Sequence, residues 1–232
     1  MTGMCPTSLP VPRTEGWWKP QFEQQLIHLK GKSIGTLMIG DSLAARWPSH
    51  VVWPGGTLPQ KFAIGGDRTQ HILWRIMQLD LVGLDPEEVV IFAGANNITS
   101  GPTVEAVAQG IVVIVRYVRS QIPHRKVTTM AVPLRGEKFE YKREFIETVN
   151  RHVAGEMGAL RSDYIDTNVA FLHATGGVNP SYLFDDEVHY SASGYVFLAG
   201  YVARARQNQP YRSFSASIRH FLSGKSHRGS TR

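Results

Sequence analysis

The residues Ile34-Gly35-Thr36-Leu37-Met38-Ile39 make a nearly unbroken apolar run, and Gly40-Asp41-Ser42 stops it abruptly. A strand with one wet face alternates apolar and polar residues; a run such as this is covered on both faces, as central strands of parallel sheets are. The pattern recurs along the chain. Lys61 to Ile64 runs into Gly65-Gly66-Asp67, and Glu88 to Ala93, built on Val89-Val90-Ile91-Phe92, runs into Gly94-Ala95-Asn96-Asn97. Val127 to Val132 is closed by Pro133, and Tyr164 to Asp166 is a weaker fifth segment. Helical spacing fills the intervals. Trp17 to Lys30 carries Phe22, Leu26 and Leu29, with Gly31 as a stop, and a helix that Thr69 can cap carries Ile72, Leu73, Ile76 and Leu79. Thr103 to Ser120, Phe139 to Leu160 with Phe145, Val149 and Val153 on one stripe, and Ser191 to Ala205 complete the set. Strands alternating with helices predict an α/β chain with a central parallel sheet of about five strands, wrapped on both faces. A length of 232 residues, 42% of them hydrophobic, suffices for one such domain without requiring a second.

In an open parallel sheet the strand ends that face ligands lie along one edge. Three consecutive ends here carry Ser42, Gly66 and Asn96. A serine in this position is either a nucleophile or part of an ordinary turn that leads into a helix cap, and the short motif does not choose between them. Gly66 equally fits a plain need for positive φ, and Asn96 a plain turn. A nucleophilic serine needs a base, a third group to orient that base, and donors aimed at the oxyanion. The backbone N–H groups of Ser42 and Gly66 and the Asn96 amide are suitable donors. The base is expected in Asp186-Glu187-Val188-His189, where a three-residue reach lets the carboxylate turn back onto its own histidine ring. Without Ser42, His189 would be an ordinary loop histidine satisfied by Asp186 or Asp185. Thr167 to Tyr190, which contains this segment, shows little periodicity, and loops of that length in compact domains are usually functional. Trp47 and Trp74 are expected to be packing residues.

Several classes of function have no support. His28, His50, His71, His124 and His152 show no metal-ligand spacing, and there is no Gly-Lys loop to cradle phosphate, so no cofactor is expected. Cys5 is the only cysteine and forms no internal disulfide, which fits a reducing compartment. Met1 to Thr14 is rich in proline and small residues without a signal-like apolar segment, and nothing downstream approaches a membrane span, so a cytoplasmic protein is expected. The net charge of +6 is concentrated in the tail. From Arg204 onward the chain carries Arg204, Arg206, Arg212, Arg219, Lys225, Arg228 and Arg232 with no acidic residue. No recognition motif accompanies them, so a solvated tail is expected rather than a nucleic-acid site, with weak membrane-surface contact through Ile218, Phe221 and Leu222 left open. The expected organisation is a Pro-rich extension over 1–16, one domain over 17–206 and a basic tail over 207–232.

Gly40-Asp41-Ser42-Leu43, Gly66, Gly94-Ala95-Asn96-Asn97 and the Asp186-x-x-His189 pair resemble, in order, the four sequence blocks of the SGNH, or GDSL, hydrolases. Phe62 to Ile76, Gly94 to Asn97 and Pro133-Leu134-Arg135-Gly136-Glu137 are similar more closely to the catalytic subunits of the Ib-type platelet-activating-factor acetylhydrolases. The resemblance covers Trp17 to Tyr201. It implies a flavodoxin-like α/β/α sandwich, an esterase acting on short acyl groups without a metal, a triad of Ser42, Asp186 and His189, and an oxyanion hole of Ser42, Gly66 and Asn96. Many SGNH enzymes carry Asp where this chain has Asn97; the acetylhydrolase-like group carries Asn. Leu43 and Val188 flank the two catalytic residues and are the expected acyl-pocket walls, favouring acetyl. The substrate class is then a lipid, glycan or metabolite ester, and the subfamily points to a homodimer. An acyltransferase using the same acyl-enzyme, or a non-catalytic interaction module with a basic tail, are the alternatives.

Overall fold

A computed structural model describes residues 6–136, 139–171, 180–184 and 186–207. The sheet is built from β1 (Thr36–Gly40), β2 (Gln60–Ala63), β3 (Glu88–Phe92), β4 (Lys126–Met130) and β5 (Asp163–Ile165). Its order is β2-β1-β3-β4-β5 and every pairing is parallel. All five residues of β1 and of β3 are buried, as apolar runs covered on both faces require. The connecting helices are α1 (Trp18–Leu29), α2 (Ser42–Ala45), α3 (Thr69–Ile76), α4 (Leu81–Leu84), α5 (Val104–Gln121), α6 (Arg143–Met157), α7 (Asn168–Phe171) and α8 (Ala192–Gln207).

The register aligns the edge on which the chemistry sits. Gly40 pairs with Ala63 of β2 and with Phe92 of β3, so the three strands end level with one another. Close approach explains the glycine: a Cβ on Gly40 would lie 2.2 Å from the Phe92 carbonyl oxygen. Beneath this edge a buried ion pair ties the loops to the sheet. Arg75 of α3 donates through Nε to Asp67 Oδ2 at 2.7 Å, through Nη2 to the Gly40 carbonyl at 2.8 Å and through Nη1 to the Phe62 carbonyl at 3.0 Å. The other Asp67 oxygen accepts from the Trp18 indole at 2.7 Å. Trp18→Phe keeps the aromatic bulk and deletes that donor to a buried carboxylate. It is expected to lower the unfolding free energy by about 1–3 kcal/mol in urea titrations; an unchanged midpoint would mean that Arg75, with Arg13 at 3.6 Å from the same oxygen, satisfies Asp67 without it.

Some sequence expectations shift. Thr69 is the first helical residue of α3 and not its cap; its hydroxyl donates to the Thr7 carbonyl at 2.8 Å, which draws the N-terminal segment onto the domain. Pro6–Ser8 packs as a short 3-10 turn against α3 and α5, and Val11 N–H donates to the Gln70 carbonyl at 3.2 Å. The α6 helix starts at Arg143 and not at Phe139, because Phe139 and Lys142 take left-handed φ values of 59° and 47° in the preceding turn. The Thr167 to Tyr190 stretch contains α7, a 3-10 turn at Pro180–Tyr182 and an antiparallel bridge between Leu183 and Tyr190. Cys5, Glu137, Asp185 and the tail from Asn208 onward lie outside the described residues.

Candidate active site

Ser42 is the first residue of α2, directly beyond β1. Asp41 caps that turn: its Oδ1 accepts from the Leu43 N–H at 2.9 Å, while Tyr195 Oη donates to the Leu43 carbonyl at 2.8 Å. The turn is therefore held from both ends without any contribution from the serine side chain. Asp41 is fully buried and its Oδ2 finds no hydrogen-bond partner among the described residues; burial pushes its carboxyl up to about 7 against the opposing Leu43 N–H.

The Ser42 hydroxyl points at the loop before α8, where His189 Nε2 stands 2.7 Å from Ser42 Oγ, across 147 residues of sequence. On the far side of the ring, Nδ1 lies 2.6 Å from Asp186 Oδ2. Asp186 Oδ1 accepts from the backbone N–H groups of Val188 at 3.0 Å and His189 at 2.9 Å, a turn completed by Glu187 at a left-handed φ of 54°. Partial burial raises the Asp186 carboxyl, but the backbone and ring donors of His189 and the Val188 N–H outweigh it and hold the group down at about 2. An ionised carboxylate there places the ring proton on Nδ1 and leaves the Nε2 lone pair facing the serine hydroxyl. The loop is pinned on both flanks, by Phe184 N–H to the His189 carbonyl at 2.9 Å and Gly136 N–H to the Glu187 carbonyl at 3.1 Å.

The candidate donors lie in the turns after the next two strands. Gly65 lies against the nucleophile, its Cβ position 3.7 Å from Ser42 Cβ, and Gly66 follows with φ +80°, a conformation that glycine adopts at no steric cost. Asn96 Nδ2 donates one hydrogen to the Asp67 carbonyl at 2.9 Å, which fixes the amide and leaves its second hydrogen available. Asn97, buried at 1% exposure, ties the two loops together: Oδ1 accepts from the Thr69 N–H at 2.9 Å and Nδ2 donates to Thr69 Oγ1 at 3.1 Å. Sequence reasoning placed Asn97 in a motif without giving it this role. It also missed Arg13, whose Nη1 donates to the Gly65 carbonyl at 3.1 Å and so braces the Gly66 loop from the N-terminal segment.

Ser42, His189, Asp186, Gly66 and Asn96 are thus brought to one sheet edge, where a hydroxyl can pass its proton to a ring held by a carboxylate, with amide donors close by. Leu43 is 2% exposed and Val188 is half-buried on the histidine loop. Trp47 packs between Trp53 and Tyr195, and Trp74 against Trp18 and Phe22. Among the described residues no group of three or more His, Cys, Asp or Glu is placed to hold a metal ion, and no helix is long and apolar enough to cross a membrane.

The model of the GDSL-like Lipase/Acylhydrolase family matches residues 14–197. The chain belongs to this family. Relatives agree: the human platelet-activating factor acetylhydrolase IB subunit alpha2 is 30% identical over 182 residues, 77% of this chain and 78% of its own length. The human alpha1 subunit is 31% identical over 198 residues, 82% of this chain and 84% of its own. Among solved structures, a GDSL-like lipase from Bacteroides thetaiotaomicron superposes with a TM-score of 0.62 at 19% identity, covering 81% of this chain and 97% of its own. Axe2, an acetylxylan esterase from Geobacillus stearothermophilus, superposes with a TM-score of 0.59 at 20% identity over 74% of this chain and 94% of its own. The fold is that of the GDSL acylhydrolases, and the protein is a carboxylic ester hydrolase of that family.

Proposed function

We propose that this GDSL hydrolase cleaves short-chain acyl esters through a Ser42-His189-Asp186 triad and an acyl-enzyme. The observation that carries the proposal is the continuous relay of 2.6 Å and 2.7 Å from Asp186 through His189 to Ser42 Oγ. Ser42 Oγ attacks the ester carbonyl carbon as its proton passes to His189 Nε2. The carbonyl oxygen becomes an oxyanion, accepted by the N–H groups of Ser42 and Gly66 and the free hydrogen of Asn96 Nδ2. The tetrahedral centre collapses, the carbon–oxygen bond to the alcohol breaks, and that oxygen takes the proton from His189. Water then attacks the acyl-enzyme carbonyl as His189 takes its proton; the bond to Ser42 Oγ breaks, Oγ takes that proton back from His189, and the carboxylic acid leaves. Asp186 holds the ring tautomer throughout and stabilises the imidazolium. The His189 side chain is 16% exposed and that of Asp186 45%, so the base is open to water. The test is hydrolysis of an aryl acetate together with fluorophosphonate labelling mapped by mass spectrometry. Turnover with label on Ser42 supports the proposal, and turnover with label elsewhere removes it.

Acetyl is the acyl group we favour, because apolar Leu43 and Val188 directly adjoin the nucleophile and the base in the chain and are the candidate walls of the acyl pocket. The relatives named acetylhydrolase and acetylxylan esterase fit this choice. p-Nitrophenyl acetate and propionate are expected to outrun the octanoate, and Leu43→Ala or the milder Val188→Ala to narrow the gap. Each methylene in such a pocket is worth about 1–3 kcal/mol, so the fall with chain length should be graded. Equal kcat/KM from two to eight carbons in the unmodified protein would remove the pocket assignment.

A further inference from the structure

A buried guanidinium is carried by Arg135, whose neighbour Gly136 bonds to the histidine loop, and no counter-ion is bonded to it among the described residues. Arg135, in the segment after β4, is 7% exposed, and its Nε and Nη2 are shielded from solvent without a hydrogen-bond partner among the described residues. Its position is well fixed. Leu134 N–H donates to Asn168 Oδ1 at 2.7 Å, Tyr141 N–H donates to the Arg135 carbonyl at 3.2 Å, and the adjacent Gly136 N–H reaches the Glu187 carbonyl at 3.1 Å, between Asp186 and His189. The guanidinium carbon stands 4.9 Å above the ring of Tyr141, which is 42% exposed and covers it towards solvent.

Fully buried Arg75 and partly buried Arg206, whose Nε is also unpartnered among the described residues, each have the carboxylate that Arg135 lacks. Arg75 has the Asp67 carboxylate and two carbonyls, and Arg206 has the Glu88 carboxylate. Arginine does not shed its proton in a protein, so an uncompensated buried guanidinium is costly and persists where an anion completes it. Stacking on Tyr141 compensates the charge but not the N–H groups. Asp41 acts on Arg135 electrostatically but makes no bond to it, and with its carboxyl pushed up to about 7 it is only a partial counter-charge near neutrality. The unpartnered atoms, Nε and Nη2, form the edge of the guanidinium that takes two oxygens of one carboxylate or phosphate in parallel hydrogen bonds. On the acyl-pocket reading above, the acyl side is apolar, so an anion belongs to the alcohol side of the scissile bond.

We propose that Arg135 receives an anionic oxygen group, carboxylate or phosphate, carried by the alcohol portion of the ester, and thereby sets the substrate preference of this site. The proposal rests on the esterase reading above. It is tested with acetate esters of matched leaving groups: 4-acetoxybenzoate and 4-acetoxyphenyl phosphate against neutral 4-acetoxybenzamide. The unmodified protein is expected to show about 10–100-fold higher kcat/KM on one or both anionic esters, the scale of a charge-assisted bidentate contact; which of the two gains identifies the group. The net charge of +6 steers any anion, so the decisive quantity is the anionic-to-neutral ratio in Arg135→Gln and Arg135→Lys. Arg135→Gln should bring the ratio close to that expected from steering alone, and Arg135→Lys, which keeps the charge but not the fork, should fall between. Equal losses on anionic and neutral esters would make Arg135 a structural residue and overturn the proposal. If Arg135→Gln fails to fold, the unmodified protein still decides: a ratio near one at low salt overturns it. A protein that hydrolyses none of the three esters overturns the esterase reading instead, so the two failures are distinguishable.

Discussion

Ser42→Ala is expected to abolish esterase activity while leaving the fold intact, with kcat falling by about 10⁴–10⁶-fold. The fold should survive because nothing structural depends on the hydroxyl. The described hydrogen bond of the Ser42 side chain is the one to His189, whereas α2 is capped by Asp41 through Leu43 and anchored by Tyr195. The loss should be this large because the proton relay has no second route: without Oγ there is no atom at 2.7 Å from His189 Nε2 to deprotonate. Residual turnover should remain above the uncatalysed rate, since the Ser42 and Gly66 N–H groups and the Asn96 amide still stabilise an oxyanion formed by water attack. The Asp186 carboxyl, held at about 2, stays ionised across ordinary assay conditions and contributes no pH dependence of its own there. Rates on p-nitrophenyl acetate and near-UV circular dichroism of the variant and its parent settle the matter. More than about one per cent of the parent rate in a correctly folded variant would reject Ser42 as the nucleophile.

The sheet was legible because burial on both faces leaves a run that no half-exposed strand would show: Ile34 to Ile39 and Val89 to Phe92 announced β1 and β3, and their observed ends fall on Gly40 and Phe92. Ser42, Gly66 and Asn96 stood out for a related reason, since each follows such a run as a small or polar residue beyond a strand end, whereas Asp186 and His189 were marked only by their spacing. What could not be read is what holds those residues still. Asp67, Arg75 and Trp18 form a buried network whose members have no periodic relation, and nothing in a sequence marks which charges will be paired below a loop. Thr69 was expected to cap a helix because hydroxyls usually do; the N-terminal segment competed for it, and tertiary contact won over local preference. The start of α6 was misplaced for a similar reason, since left-handed turns at Phe139 and Lys142 are unusual for residues of their type and are fixed by the Gly136 carbonyl and the surrounding packing. Arg135 belongs with these: that its Nε and Nη2 find no partner among the described residues is a fact of packing.

Asn96→Ala is expected to lower kcat by about 10²–10³-fold, or roughly 2.7–4 kcal/mol of transition-state stabilisation, with little change in KM. Asn96 lies in the turn after β3, whose end pairs with the end of β1 before Ser42, and one of its two amide hydrogens is already spent on the Asp67 carbonyl at 2.9 Å. That bond fixes the direction of the second hydrogen before substrate arrives. As the ester carbon becomes tetrahedral its oxygen gains charge, and a donor that needs no reorganisation favours that state over the resting ester, so kcat and not KM should carry the loss. The competing possibility is that Asn96 only shapes the turn, with its bond to Asp67 as its whole contribution. In that case Asn96→Gly would retain activity, and Asn96→Ala would act mainly on the melting temperature through the lost hydrogen bond, worth about 0.5–1.5 kcal/mol. Asn97 is the internal control, because its oxygen accepts from the Thr69 N–H and its two amide hydrogens go to Thr69 Oγ1 and Gln70 Oε1. Measuring kcat, KM and melting temperature for both Asn96 variants separates the two. An active Asn96→Gly enzyme would remove the amide from the oxyanion hole and leave the Ser42 and Gly66 N–H groups to stabilise the charge.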